Sequence, residues 1–528
     1  MQIKVVGRGV LAGLFLLGLA SHAGAQLQEA SVSRFFPGIT GAGARAMGMG
    51  GAFIAIADDA TAASWNPSGL AVLERPEVSV VGQPTAEAAI THPASTYTYH
   101  ANSQLAGGYT GEATANTRYA PYAQLSPSRS LDFVSVTFPT RFRSVKLVPQ
   151  ISYQRVVDLG STGAYSSTGQ GQEHIAVTCP GSRCSASVDQ AWQVVSGNAT
   201  VADNGGIGVW AATLAAGFTP KVYLGLTLNR WGGHSSSGAA TVSRYSFSAN
   251  QRIDTTDSAG VAQDFSGTSV HFGVLVKPTS KISLGLVIRP SFDMTLNSVE
   301  TFDHQKQSSV PDIAGGSSTS TATRNGTLRW PRTIGAGVAV MPTDVLTFSA
   351  DFSATNWSQT TFTYAYDYQS QTSDAQGRAQ SRVVAHADSL VVLWPAFYNP
   401  DAPDSRSPRQ TDSSQVRVGV EYVVKNPRQL GLVVVPLRLG FIRDGQMTMN
   451  APVATRATYY GFTAGLGFVW KRISLDAAWV HMTGKSNYGF DSNGTSANPP
   501  TNYDEHYRFD DQTAFTSDRL FVSTVVRF

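Results

Sequence analysis

Charge is scarce in this sequence. Only 14% of its 528 residues are Asp, Glu, Lys or Arg, against about a quarter in ordinary soluble domains. The net charge of +3 gathers into no basic stripe, which excludes nucleic acid as a partner. Long apolar runs are missing too: past a short stretch near the start, no segment approaches the roughly 18 apolar residues that a membrane helix needs. Cysteine is almost absent. Cys179 and Cys184, in "TCPGSRC", are the only two; they are too few for a structural zinc site and read as one small disulfide loop in an oxidising compartment. There is no G-x-S-x-G and no H-E-x-x-H, and the ten histidines do not gather with a Ser and an acid. Neither an enzyme nor a metal or other cofactor is expected.

What is present begins with a leader. Lys4 and Arg8 precede an apolar run from Val10 to Ala20, and Ala23-Gly24-Ala25 supplies small residues for cleavage. This pattern predicts a signal peptide over 1–25 and a mature chain starting at Gln26, outside the cytoplasm. Without a spanning helix, any membrane crossing must be made by a closed barrel.

The remainder alternates with period two. In "KISLGLVIRP", Ile282, Leu284, Leu286 and Ile288 share one face, with Ser283, Gly285 and Arg289 on the other. "VYLGLTLNR" repeats this, with Val222, Leu224, Leu226 and Leu228 set against Gly225, Thr227 and Asn229. Tight turns ("TPK", "KPTSK", "MPTD", "KNPRQ") alternate with long polar stretches such as "STGAYSSTGQGQ", "GGHSSSGAA" and "AGGSSTSTATRNG", which read as loops by composition. Short turns at one end and long loops at the other are the asymmetry of an outer-membrane barrel. Counting hairpins gives about fourteen strands over 76–528, an even number as single-chain bacterial barrels have. "STYTYH" at 95–100 breaks that parity as a strand and is assigned to the first external loop. The last strand ends "LFVSTVVRF", with Leu520, Val522, Val526 and Phe528 in one register. A terminal Phe on such a strand resembles the signal that outer-membrane assembly machinery reads. A soluble sandwich of this many strands divides into domains with a linker between them, and no linker composition occurs. The expected fold is an all-β, 14-stranded antiparallel transmembrane barrel.

Residues 26–75 do not share the period. "SRFFPGITGAGARAMGMGGAFIAIADDATAASWNPSGLAVLERP" is Gly-rich, with more Met and Phe than a linker carries. A segment of this size ahead of a closed barrel fits a plug in the lumen. "GMGG" at 48–51 lacks the strand before and helix after that a dinucleotide fingerprint requires.

The stretch "GARAMGMGGAFIAIADDATAASWNPSGL" resembles the N-terminal hatch of the FadL family of outer-membrane channels for long-chain fatty acids and other hydrophobic compounds. "WPRTIGAGVAVMPTDVLTFSADFSATNWS", "VRVGVEY", "VPLRLGF" and "RISLDAAW" extend the resemblance over nearly the whole mature chain, external loops excepted. Ser68 stands where the family commonly has Ala. The resemblance implies capture of a hydrophobic solute in an apolar cleft, transfer to a pocket, and exit through an opening in the wall. That opening lies beside a kink in the third strand, next to the hatch Asn-Pro-Ala motif. It also implies a monomer in the outer membrane of a Gram-negative bacterium, in contact with lipid and lipopolysaccharide. The rival readings are a FadL-like barrel that binds partner proteins and transports nothing, and a general porin.

Particular residues take on roles within this reading. Pro149, in the third strand, cannot donate to the ladder, so it either marks a bulge and a gap in pairing or merely starts the strand at the rim. Asn66, Pro67 and Ser68 are expected to pack against the irregular wall, the Asn66 amide satisfying backbone groups without ladder partners. Asp58 and Asp59 are expected to anchor the hatch to charges that face the lumen by register, namely Arg417, Glu421, Arg438 and Asp476, with Arg417 or Arg438 as partners. Arg155 and Arg289 are candidates to meet a carboxylate head, Phe35 and Phe36 to reach the pocket, and His271 is read as a lumen residue.

Overall fold

The structure is a computed structural model. It describes residues 41–105, 109–178, 185–248, 250–309, 314–393, 409–410, 412–425, 434–446, 449–450, 457–496 and 502–528. The leader, Phe35, Phe36, Cys179 and Cys184 lie outside the described residues.

Fourteen antiparallel strands close into a barrel. In chain order they are β1 (Glu77–His92), β2 (Tyr122–Thr137), β3 (Val145–Asp158), β4 (Ser185–Thr219), β5 (Val222–Ser248), β6 (Gln251–Thr279) and β7 (Ile282–Arg289). The second half comprises β8 (Thr333–Thr343), β9 (Leu346–Thr355), β10 (Ser413–Lys425), β11 (Val434–Gly445), β12 (Thr458–Trp470), β13 (Ile473–Ser496) and β14 (Asn502–Arg527). Closure is made by β1, where Glu77 lies opposite Thr137 of β2 and Arg527 of β14. Arg527 Nε donates to Glu77 Oε1 at 2.8 Å, and the Phe528 N–H to the Pro76 carbonyl at 3.0 Å. These pairs join the last strand to the first and close the barrel.

Alternation decides which face is which. On β5, Leu224, Leu226 and Leu228 point outward and are exposed, whereas Thr227 and Asn229 point inward and are buried. Leu284, Phe348, Val418, Leu439, Phe462 and Leu475 are exposed on other strands in the same way. Such a belt of exposed aliphatic and aromatic side chains is unsuited to water over so many neighbouring strands and suits lipid. No helix among the described residues is long and apolar enough to cross a membrane.

The polar stretches are not loops. "STGAYSSTGQGQ" lies in a strand, Ser161–Thr178, "GGHSSSGAA" lies within β5, and "AGGSSTSTATRNG" falls largely in Gly316–Trp330. The wall continues past the belt as paired strands: β5 and β6 stay in register from Val222 opposite Val276 to Ser246 opposite Arg252. A sheet wetted on both faces loses its apolar alternation but keeps its ladder, so composition alone mistakes it for loop. "STYTYH" likewise belongs to a strand, Ser95–Leu105, hairpinned with Tyr109–Tyr119 and paired to β14. The hairpin adds two strands at the long end, so the parity of crossings survives.

Candidate functional site

The interior site is built around residues 41–75, whose backbone meets inward-facing residues from strands around the barrel. The segment has little regular structure: a turn of helix at Ala44–Gly48, another at Ala62–Trp65, and a 3-10 helix at Pro67–Val72. Gly50 and Gly51, at φ of 67° and 71°, make the sharp turn between them that other residues adopt only with strain. A backbone this irregular needs partners, and the barrel supplies them. Asp351 Oδ2 on β9 accepts from the N–H groups of Phe53 and Ile54 at 2.7 and 2.8 Å. Ser283 Oγ donates to the Ala55 carbonyl at 2.6 Å, and Gln150 Nε2 and Ser135 Oγ both donate to that of Ala60, at 2.7 and 3.0 Å. Thr463 Oγ1 accepts from the Gly50 N–H and donates to the Gly48 carbonyl, each at 2.9 Å.

Glycines make this approach possible. Gly225, Gly273, Gly285, Gly337, Gly419, Gly440 and Gly465 lie on seven strands, and a Cβ on any of them would collide with a nearby backbone or side-chain atom. For Gly225, Gly285, Gly419, Gly440 and Gly465 the nearest obstruction is the backbone of the 41–75 segment itself. Their registers match, Gly225 opposite Gly273, Gly285 opposite Gly337 and Gly419 opposite Gly440. The sequence shows this as the recurring inward glycine of "YLGLT", "HFGVL", "SLGLV", "VRVGV" and "LRLGF".

Asn66 is fully buried, and its Nδ2 donates to the Ile54 carbonyl at 2.9 Å and to the Val274 carbonyl on β6 at 3.0 Å. Its Oδ1 accepts from Ser68 N and from Ser68 Oγ, at 3.2 and 2.6 Å, so the Ser68 hydroxyl makes a bond that an Ala could not. Pro67 lies against Gly225 and Gly273. The motif therefore meets β5 and β6 at these glycines rather than a gap beside Pro149.

The acids are anchored differently from the expectation as well. Asp58 Oδ1 meets Arg45 Nη1 at 2.5 Å, and Asp59 lies 3.7 Å from the same atom. Their partner is thus Arg45, within the segment, in place of Arg417 or Arg438. Arg45 then grips Glu421 with two bonds of 3.1 Å; Glu421 pairs with Arg438, and Arg438 with Asp476, both at 2.6 Å. The relay runs from Asp58 to β13 and alternates in sign at every step, which is how charges survive burial. Asp59 also accepts from Thr61 N and Oγ1; burial pushes its carboxyl above the usual range, against the pull of Arg45. Arg417 instead stacks over Trp65 at 5.3 Å, which packs edge-on against Phe53.

Beyond this segment, toward the long-strand end, the lumen is apolar. Trp231, Met294, Leu296, Leu328, Trp357 and Phe362 form one buried cluster with Val157, Leu159 and Val209. Trp231 and Trp330 lie 5.5 Å apart, and Trp330 and Trp357 5.8 Å. The indole N–H groups of Trp231 and Trp357 donate to Ser269 and Ser413 at 2.9 and 3.0 Å, leaving the rings' apolar faces to the lumen. Continuing the inward parity of "GLTLNRW" past Asn229 locates Trp231, a step the belt reading stopped short of. At the foot of the cluster is a small cavity of about 40 Å³, bounded by Ser64, Phe133, Val156, Trp231, His271 and Arg289. Arg289 Nη2 donates to the Ser64 carbonyl at 2.7 Å; its buried Nε has no partner, and it makes no ion pair among the described residues. Arg155 is set differently, bonded to Asp158 and the Gly205 carbonyl at 3.1 Å each.

The wall is irregular beside this cavity. Phe133–Thr137 of β2 pair with residues 150–154 of β3, and the next pairs of β2 on that side are Leu125 with Thr162 and Gln124 with Gly163. Residues 126–132 and 155–161 thus face each other without a ladder. Val156 is an extra residue against β4, because Arg155 opposes Gly208 and Val157 opposes Ile207. Asp132 is an extra residue against β1, with Phe133 opposite Val81 and Leu131 opposite Gly82. β1 itself shifts between Gln83 and Ala86. Three adjacent strands therefore bulge at one level, which bends them and interrupts pairing.

Pro149 is not the cause. Its register with Leu214 is unbroken, its side chain is exposed, and its carbonyl accepts from Phe138 N at 3.1 Å. It lies where β2 ends at Thr137, so its missing donor costs the ladder little. Among the described residues no group of three or more His, Cys, Asp or Glu is placed to hold a metal ion.

No protein-family model and no curated protein matches the chain. Among solved structures it is similar to a Pseudomonas aeruginosa FadL homologue, at 12% identity over 93% of this chain and 99% of that one, with a TM-score of 0.47. It is also similar to the CymD monoaromatic hydrocarbon channel, at 12% identity over 93% and 98%, TM-score 0.45. A third similarity is to the Pseudomonas putida toluene transporter TodX, at 14% identity over 93% and 99%, TM-score 0.43.

Proposed function

We propose that this chain is an outer-membrane channel of a Gram-negative bacterium for the passive uptake of hydrophobic solutes, with residues 41–75 closing the lumen as a hatch. The observation that carries the reading is the apolar cluster ending in a cavity at the unpaired seam between β2 and β3. A hydrophobic solute gains nothing from an aqueous exit, and a wall without ladder bonds is where it can pass sideways into lipid. The seam's inner face, Phe133 and Val156, is continuous with the cavity. The hatch, tied to the barrel by the Arg45 relay, holds the floor shut below it.

The cavity also supports a narrower solute class. Arg289 is a buried guanidinium with an unpartnered Nε beside aromatic and aliphatic walls. A buried charge without a counter-ion is costly, and an anionic ligand relieves that cost. The reading is a solute with a carboxylate head and an apolar tail, the head on Arg289 and the tail toward Trp231. Replacing Arg289 with Met is expected to slow uptake of a long-chain carboxylate by about tenfold and leave that of an alkane of matching length unchanged. The check is radiolabel uptake into cells carrying either form. Equal rates for the carboxylate in both forms contradict the assignment.

A further inference from the structure

We infer a second site on the outside of the wall, a groove that holds the acyl chain of a phosphate-bearing membrane lipid; it rests on the membrane reading but not on transport. The groove is shallow and open, with a volume of about 600 Å³, and is bounded by Val80, Gly82, Pro84, Arg129, Leu131 and Val522. It arises from the bulge in β1, where Gln83 and Pro84 crowd opposite one position of β14: Gly82 opposes Val522 and Thr85 opposes Leu520. Val80, Leu131 and Val522 point away from the barrel, 42%, 51% and 41% exposed, in the same sense as the apolar belt. An indentation there is filled from the bilayer.

Depth is read from the registers. Val80 opposes Thr524, which opposes Leu475, a belt residue. Thr85 opposes Leu520, which opposes Trp479, whose indole Nε1 donates to Asp518 at 3.0 Å. A Trp with an apolar body and a bonded N–H marks the membrane–water boundary. Arg129 lies on the same hydrogen-bonded row, between Ser128 opposite Ala86 and Ser130 opposite Gln83, and beyond Leu131 toward the long-strand end. It is exposed and makes no ion pair among the described residues. The groove thus runs from belt depth to the boundary and carries a cation at its upper end, complementary to an acyl chain beneath a phosphate. Gly82 keeps it open: a Cβ there would meet only the Ser130 carbonyl, at 3.8 Å, so a larger side chain fits outward and fills the space.

The test uses the full-length protein reconstituted in phosphatidylglycerol vesicles, floated on a density gradient, then extracted in mild detergent for native mass spectrometry. Wild type is expected to float and to retain one phosphatidylglycerol. Gly82→Leu is expected to float equally and retain it about tenfold less. Arg129→Gln is expected to lose the preference for phosphatidylglycerol over diacylglycerol. Equal retention by wild type and Gly82→Leu, with both floating, overturns the site alone. A wild-type chain that does not float overturns the membrane reading and the site with it.

Discussion

Gly273→Val and Gly440→Val are each expected to turn a closed barrel into a leaky one. A Cβ at 273 overlaps Asn66 Oδ1, and one at 440 overlaps the Gly50 nitrogen and the Met49 carbonyl carbon. Neither obstruction can rotate away. Gly50 is a backbone atom donor to Thr463, and Asn66 is held by two carbonyls and Ser68. Overpacking of this kind costs about 1–3 kcal/mol per site and more where the backbone must move. The barrel keeps its own ladder, so the relief comes from residues 41–75, the proposed hatch, which shifts or leaves. A lumen of this strand number is then wide enough for small hydrophilic solutes. Single-channel conductance in planar bilayers is expected to rise by about tenfold. Gly232→Val is the control, since nothing lies within 4 Å of its Cβ position. Conductance at the wild-type level in both glycine variants would show that the hatch does not depend on these contacts.

Deletion of Val156 is expected to stop transport while leaving a folded barrel. Between Lys146 and Asp158, Val156 is the one residue of β3 without an opposite number on β4, so its removal brings Arg155 and Val157 into consecutive register with Gly208 and Ile207. A bulge bends its strand and raises its twist. Without it β3 straightens toward β2, and residues 126–132, paired with β1 on one side, gain partners on the other. Each ladder bond gained is favourable by about 1 kcal/mol, so the repaired barrel is at least as resistant to unfolding in heated detergent. Uptake of a hydrophobic carboxylate is expected to fall by about tenfold or more. Loss of uptake with loss of the folded band indicates misfolding, and retained uptake shows that the exit lies elsewhere.

Much of this architecture is legible in the residues because a barrel wall in lipid obeys a strict rule. Apolar alternation on "VYLGLTLNR" or "KISLGLVIRP" assigns both a strand and its faces, and it places Arg417, Glu421, Arg438 and Asp476 inward, where all four are buried. The rule ends with the lipid. Beyond the belt both faces are wet, so Ser161–Thr178 and Gly316–Trp330 look like loops although both are paired strands, the first with one register shift between Ser167 and Gly169. Inside the lumen no period exists, and Arg45 meets Glu421 across 376 positions of chain, a pairing that no local pattern announces. The wall's irregularity is hidden for another reason. Proline carries a visible penalty in a strand and draws attention to Pro149, whereas the bulges at Asp132 and Val156 are made by ordinary residues and follow from register alone. The inward glycines are visible as small residues, but their purpose follows only from the backbone of residues 41–75 beside them.

Sideways exit of the solute into lipid is the step on which the proposed function rests. It is tested most directly by stopped-flow fluorescence on proteoliposomes in which the solute, a fluorescent long-chain carboxylate supplied from outside, meets one of two quenchers. One quencher is attached to the lipid chains and the other is dissolved in the enclosed water. Quenching by the chain-attached probe is expected to come first, at a rate set by the protein and lost on deletion of Val156, with the aqueous signal following later. Simultaneous or earlier quenching in the enclosed water, unaffected by that deletion, would contradict it.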